Sequence, residues 1–447
     1  MVGSILCFLF AAAALAACAQ TPESAAPAAS QPQVITLDEA IRRAEASDPA
    51  YATARANGST AALDRSIARA ALLPNVSYNN QGIYTEPNGA FGPSPEGGSG
   101  DPLPRFVANN GIREYLSQAV VNETLGLAGP ASVRRADASA AQAAAEQEIA
   151  RRGLVAGVTV LFYGSLAADH KLTVAERARQ EAADFTRLTQ EREQARESAH
   201  ADVVKAELVE QQRNRDLEDA RVAAEKARLE LGVLLFPDPE TPYTLSAPDA
   251  APPLAARADV DAAAAKYNPE LKSALAALRV SNADVMAARA AYLPGVGLNV
   301  TYGIDANQFA ANGPGNVRNL GYSASVTVNV PVWDWLATEH KVKQSEIRRG
   351  AAQVAMSATQ RRLIAELDEA YSEASAARDQ LASLDESVTT AAESLRLTRL
   401  RYTGGDATVL EVVDAESAYV TAQNAREDGR VRYEAARANL QTLTGIM

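Results

Sequence analysis

"AALLPNVSYNN", residues 70–80, and "AAYLPGVGLNV", residues 290–300, place the same helix-to-strand junction twice in one chain. Each is preceded by a similar helix start, "SDPAYATARA" at 47–56 and "YNPELKSALA" at 267–276. Pro49 lies 25 residues before Pro74, Pro269 lies 25 residues before Pro294, and the copies are offset by 220 in a chain of 447. Two proline landmarks at one spacing argue for an internal duplication. The fold therefore has two equivalent halves.

Apolar residues make up 47% of the chain but aromatics only 5%. Ala-rich, charge-rich segments with so few aromatics read as long helices packed closely through small side chains. A net charge of −12 argues against a nucleic-acid binder, because phosphate contacts need a basic surface. Residues 1–17 read as a signal peptide: "ILCFLFAAAALAAC" is an apolar run too short to span a membrane and ends in small residues. Leu15-Ala16-Ala17-Cys18 resembles a bacterial lipobox, which would lipidate Cys18; cleavage after Ala19 is the other reading. Residues 18–34 look like a tether, which favours lipidation. Cys7 lies within the signal, so the mature chain has no internal disulfide. Beyond residue 17 no apolar run approaches a transmembrane helix, and membrane passage is expected to use strands.

The first repeat is expected over 35–236. It opens with one helix to Pro74, started by Thr36 and Glu39 in a capping box. Strands follow at about 74–86 and 112–123, separated by a Gly/Pro-rich loop over 86–111. From about 131 to 196 nothing breaks a helix, which at ~1.5 Å per residue would be roughly 100 Å long. A return helix, about 199–235, spaces Leu217, Ala220, Ala224, Ala227, Leu231 and Leu234 as a coiled-coil seam. Residues 237–256 read as a linker. The second repeat, 257–447, has clearer strands at about 294–305 and 319–332. In the last of these Leu320, Tyr322, Ala324, Val326, Val328, Val330 and Val332 alternate with small or polar residues. An apolar outside against lipid and a polar lumen fits a transmembrane barrel. Four strands cannot close one, so several chains must share the wall. Trp333 and Trp335 follow the last strand, where an aromatic belt at the membrane interface would sit. A further helix hairpin, about 337–444, carries Leu381, Leu384, Val388, Ala391, Leu395, Thr398 and Tyr402 at seam spacing, turns at Gly404-Gly405, and resumes at Asp406.

The duplicated order of helix, strand, loop, strand and long hairpin resembles the outer-membrane efflux protein family, the TolC-like channels. The resemblance rests on "ITLDEAIRRAEASDPAYATARA", the two Leu-Pro junctions, "NVPVWDWLATEHKVKQSE" and "RLRYTGGDATVLEVVDAESAYVTAQNAREDGRVRYEAARANLQTL", and spans nearly the whole mature chain. It implies a mainly helical fold with a transmembrane β-barrel contribution. Three chains would form a twelve-stranded barrel in the outer membrane, continued by a periplasmic α-helical tube. The implied partners are a periplasmic adaptor protein and an inner-membrane pump, and the implied role is a passive exit duct with a gated periplasmic entrance. Glu411 and Asp414, three apart on one helix face, match paired acids that line that entrance. Tyr402 matches a tip tyrosine that bonds to an acid on the other hairpin, at the position of Asp202. Ala407 departs from relatives that carry a basic gate residue there; Arg192, Arg196 and Lys205 flank the first tip and could substitute. Arg196, Gly404, Gly405 and Asp406 mark the tips where an adaptor would dock, with Arg196 standing where a glycine is common.

No catalytic constellation is present, no cofactor is expected, and His170, His200 and His340 are too scattered to ligate a metal. The runner-up is a periplasmic coiled-coil adaptor or scaffold lipoprotein, and a plain diffusion porin stands third. The apolar strand stripes argue against the first, and the long helices against the second.

Overall fold

The computed structural model describes residues 33–85, 113–248 and 252–445. The signal, Cys18, nearly all of the tether and the 86–111 loop lie outside the described residues. The chain begins with β1 (Gln33–Thr36), α1 (Leu37–Ser47) and α2 (Pro49–Ala70), continues through β2 (Asn75–Tyr84) and β3 (Arg113–Leu125), and runs down and back through α3 (Ala128–Gln194) and α4 (His200–Leu235). After β4 (Tyr243–Ser246) the order repeats as α5 (Arg257–Tyr267), α6 (Pro269–Ala290), β5 (Gly295–Ala306), β6 (Leu320–Asn329), α7 (Ala337–Gly404) and α8 (Val409–Thr444). Helix lengths of 11, 22, 67 and 36 residues in the first half return as 11, 22, 68 and 36 in the second.

Several boundaries correct the sequence reading. The single helix expected to Pro74 is two, because Pro49 lacks an N–H and pushes Asp48 out of helical geometry (φ −69, ψ 122). Asp48 then caps α2 by accepting from the Tyr51 N–H at 2.6 Å, and Asn268 caps α6 by accepting from the Leu271 N–H at 2.8 Å. The tether and the linker are not both free: their residues form β1 and β4, paired in parallel from Gln33 opposite Tyr243 to Thr36 opposite Ser246. The pair seals a core of Ile35, Ala40, Ala44, Val158, Phe162, Leu231 and Tyr243. α3 is long and apolar enough by composition to cross a membrane, against the expectation of no such segment; its Val158, Phe162 and Tyr163 are instead buried in this core. β6 ends at Asn329 rather than 332, since Pro331 has no N–H to extend the ladder.

The four long strands form one antiparallel sheet in the order β2-β3-β5-β6. Its register sorts the side chains by face. Val76, Val121, Val300 and Ala324 share one row, and Tyr78, Ala119, Tyr302 and Tyr322 the next. On the other face Asn75, Asn122, Asn299 and Ser325 align, as do Asn79, Gln118, Gly303 and Gly321. Polar side chains tie that face across strands: Asn299 donates to Asn122 at 2.6 Å, and Thr301 and Ser323 share a hydrogen bond of 2.7 Å. The apolar rows stand open, with Val76 at 70% and Tyr322 at 83% exposure. The poor alternation of β2 and β3 in sequence thus becomes two adjoining apolar rows once paired with β5 and β6, bounded on the same face by Glu123 opposite Leu298 and by Asn80 and Ser117 opposite Ile304.

In the helical part α3 packs on α4 within its hairpin and on α8 of the other, while α2 and α6 flank its strand-proximal end. The α4 seam is buried at Leu217, Ala224 and Leu231 and half-buried at Ala220, Ala227 and Leu234. Arg152, with a side chain 6% exposed, joins the two repeats. It donates to Glu148 at 2.7 Å and to the carbonyls of Gly445 at 3.1 Å, Thr442 at 3.3 Å and Tyr267 at 3.5 Å.

Candidate functional site: the hairpin tips

Far from the strands, the turns of the two hairpins sit side by side. Each long helix ends in the same geometry, with one residue in the left-handed region and a backbone hydrogen bond closing six residues. Arg196 (φ 63) takes this place in the first tip, where the Glu197 N–H donates to Arg192 O at 2.8 Å. Gly405 (φ 87) takes it in the second, where the Asp406 N–H donates to Arg401 O at 2.9 Å. Glycine adopts this conformation without penalty, whereas a residue with a Cβ pays about 1 kcal/mol or more. Arg196 therefore occupies the glycine slot of its tip at some strain.

The second return helix starts at Val409, later than Asp406, because Thr408 supplies the cap. Its hydroxyl accepts from the Glu411 N–H at 3.3 Å, and the Glu411 carboxylate accepts from the Thr408 N–H at 3.3 Å. Arg401 also lies 3.3 Å from the Glu411 carboxylate. Glu411 is thus part of the turn and partly neutralised, while Asp414 is exposed one helical turn on. The two keep a common face.

Between the tips Phe185, Ala206, Tyr402, Val409 and Val412 form a small core, with Ala407 packed against it. Phe185 and Tyr402 place their ring centroids 5.2 Å apart. The bond between Tyr402 and Asp202 suggested by the resemblance is not formed within one chain. Asp202 accepts from Ser198 Oγ at 3.0 Å, and the buried Tyr402 hydroxyl has no partner among the described residues. Arg192 instead reaches across from α3, donating to Tyr402 O at 2.9 Å and Thr403 O at 3.1 Å with its guanidinium 4.6 Å from the Tyr402 ring centroid.

Two polar clasps lie above this contact. Arg399 on α7 bridges Glu181 of α3 at 2.5 Å and Glu416 of α8 at 2.6 Å. Burial pushes the Glu416 carboxyl above its usual range, and the Arg399 charge only partly opposes it. A groove of about 240 Å³ opens beside the bridge, lined by Glu181, Phe185, Arg399, Tyr402 and Glu416. Higher still, His170 meets Glu427 at 2.9 Å and Arg426 links Glu427 to Asp385 at 2.9 and 2.7 Å. Burial would raise the Glu427 carboxyl, but the His170 hydrogen bond and the two nearby charges outweigh it and hold it low.

The structure brings Tyr402, Gly404, Gly405, Asp406 and Glu411 into one tip and sets Asp202 and Arg196 in the adjoining one. Trp333 and Trp335 lie at the opposite end beside the sheet, their rings T-shaped at 5.8 Å and exposed at 68% and 83%. Sequence reading missed Arg399 and Glu416, whose partners lie on other helices and leave no local signal. Thr408 was legible, since Thr-x-x-Glu is a capping-box spelling.

A long double hairpin carrying an open four-stranded sheet, with one mainly apolar and one mainly polar face, is the fold of a TolC-like chain. Residues 255–446 match the family described as "Outer membrane efflux protein". The chain is 25% identical over 172 residues to outer membrane protein OprJ of Pseudomonas aeruginosa, covering 38% of this chain and 36% of OprJ. It is 26% identical over 231 residues to protein CyaE of Bordetella pertussis, covering 50% of this chain and 48% of CyaE. The chain thus spans between about a third and a half of the length of these relatives. The fold superposes on the CmeC outer membrane channel of Campylobacter jejuni with a TM-score of 0.74 at 15% identity, covering 92% of this chain and 85% of that one. The second repeat therefore matches the outer membrane efflux protein family, and the fold of the chain is that of the outer-membrane channels it superposes on.

Proposed function

We propose that three copies of this chain form an outer-membrane exit duct, passively conducting solutes delivered by an inner-membrane pump through a periplasmic adaptor. The observation that carries this reading is the four-stranded sheet. It offers lipid a mainly apolar face through the Val76 and Tyr78 rows, offers the opposite side small and polar groups around Val120 in its middle rows, and leaves β2 and β6 each with an unpaired edge. Unpaired edges in a bilayer are costly, and closure removes them. Twelve strands from three copies make such a closed wall, with the helices hanging below as a tube.

The helical edges support the same closure. Val204, Leu208 and Val222 on α4, and Ile347, Val354 and Ile364 on α7, are half or more exposed along opposite edges of the helical layer. One copy's α7 edge against the next copy's α4 edge is a head-to-tail contact, which closes as a ring. In that ring the tips would meet at the periplasmic entrance. Asp202, Tyr402, Glu411 and Asp414 would act as its gate, and the turns at Arg196 and Gly404–Asp406 would meet the adaptor. Trp333 and Trp335 would sit at the membrane interface, and a lipidated Cys18 would add an anchor. Conduction needs no covalent chemistry and no cofactor. A periplasmic scaffold has no use for the apolar stripe, which sets that reading aside.

Edge crosslinking tests the closure. Ser77→Cys on β2, combined in turn with Cys at Ser323, Ser325 or Thr327 on β6, is expected to give covalent dimers and trimers in oxidised membranes, and nothing larger. Single-cysteine chains should give no ladder. Monomers alone from every pair, or a ladder running past three, would refute the three-chain barrel.

A further inference from the structure

The geometry points to Arg192 as the latch that ties the two hairpin tips of each chain together, in place of the basic residue absent at Ala407. This rests on reading the tips as the duct's entrance. The guanidinium makes three contacts at once with the end of α7. Two N–H groups donate to the carbonyls of Tyr402 and Thr403, at 2.9 and 3.1 Å. Those carbonyls belong to the last turn, which points the negative end of the helix dipole at a cation. The planar group also lies 4.6 Å from the Tyr402 ring centroid, a cation–π contact on a ring that Phe185 braces from another side. A lysine could supply the charge but not the fork or the flat face.

The Tyr402 hydroxyl takes no part. It is buried, has no hydrogen-bond partner among the described residues, and leaves Asp202 to accept from Ser198. In this chain the tyrosine contributes its ring and its backbone, and the basic group comes from the first hairpin rather than the second.

Position along α3 explains why this contact can open without parting the hairpins. His170, Glu181 and Arg192 each clasp the second hairpin, and they are spaced eleven residues apart. The α8 acids of the first two clasps, Glu427 bonded to His170 and Glu416 reached through Arg399, are also eleven apart. An eleven-residue spacing is close to three whole helical turns, so all three clasps lie on one stripe. Arg192 is the terminal one. Without it the tip of the second hairpin is held to the first only by the small apolar core around Phe185 and Tyr402, while Glu181–Arg399–Glu416 and His170–Glu427 keep the helices joined above. The tips move and the tube stands.

The test uses the full-length trimer with two readouts, the open fraction in planar bilayers and hydrogen exchange of the amides at 403–412. Arg192→Ala is expected to raise the open fraction about tenfold or more, in line with loss of a charged pair of hydrogen bonds, and to speed exchange at 403–412 with the strands unchanged. Arg192→Lys should restore less than half of the difference. Tyr402→Phe keeps the ring and the carbonyl, and should open the channel far less than Arg192→Ala. The latch is overturned if Arg192→Ala matches wild type in both readouts, or if Tyr402→Phe opens as far. Should every variant be silent in bilayers, faster exchange at 403–412 in Arg192→Ala would uphold the latch and count against the duct, whereas unchanged exchange would overturn both.

Discussion

Replacing Val300 by Arg is expected to remove the chain from the outer membrane. Val300 lies midway along β5, between Val121 on β3 and Ala324 on β6, with no polar side chain in its row. A guanidinium on the lipid face of a barrel costs about 2–4 kcal/mol near the bilayer midplane. Three copies place three such charges in one barrel, so the penalty on assembly approaches the whole stability of an ordinary domain. The neighbouring Thr301 points to the other face, where it shares a hydrogen bond with Ser323. Thr301→Arg should therefore assemble and alter conduction only. Fractionation of membranes, with a check for heat-modifiable folded barrel, separates the two variants. Equal assembly of both would mean that the face of Val300 does not meet lipid.

Arg152→Ala is expected to destabilise the folded chain by about 3 kcal/mol, because it strips donors from three backbone carbonyls and Glu148 in a buried place. Those carbonyls lie at the end of α5 and the end of α8, so one side chain on α3 holds the two repeats at their waist. For a chain of this size the loss should appear as a melting shift of about 3 °C. Arg152→Met keeps much of the stem's packing yet loses every donor, and should recover only a minor part. A full recovery by Met would assign the residue to packing alone.

The duplication was legible because its punctuation is local. Asp48-Pro49 and Asn268-Pro269 spell a cap followed by a first-turn proline, and the Leu-Pro junctions spell the helix stops. The heptad positions on α4 and α7 were legible for the same reason: a seam is a pattern along one helix. What sequence reading missed is non-local. β1 and β4 lie more than two hundred residues apart and each is only four residues long, so neither has a pattern of its own. The face of β2 and β3 became readable only through register with β5 and β6. At the tips, Gly404-Gly405 announced a turn, but Arg196 holds the same left-handed geometry without announcing it. The pairing expected between Tyr402 and Asp202 gave way to Arg192, whose acceptors are carbonyls and so carry no residue signature.

The most direct test of the duct is the single-channel conductance and ion preference of the purified trimer, compared with Glu411→Ala/Asp414→Ala. The account predicts stable conducting steps that favour cations, with the preference reduced in the double variant because six entrance carboxylates per trimer have been removed. Asp414 should carry the larger share, since Arg401 stands 3.3 Å from the Glu411 carboxylate. Silence from a well-folded trimer, both before and after Arg192→Ala loosens its tips, would contradict the account.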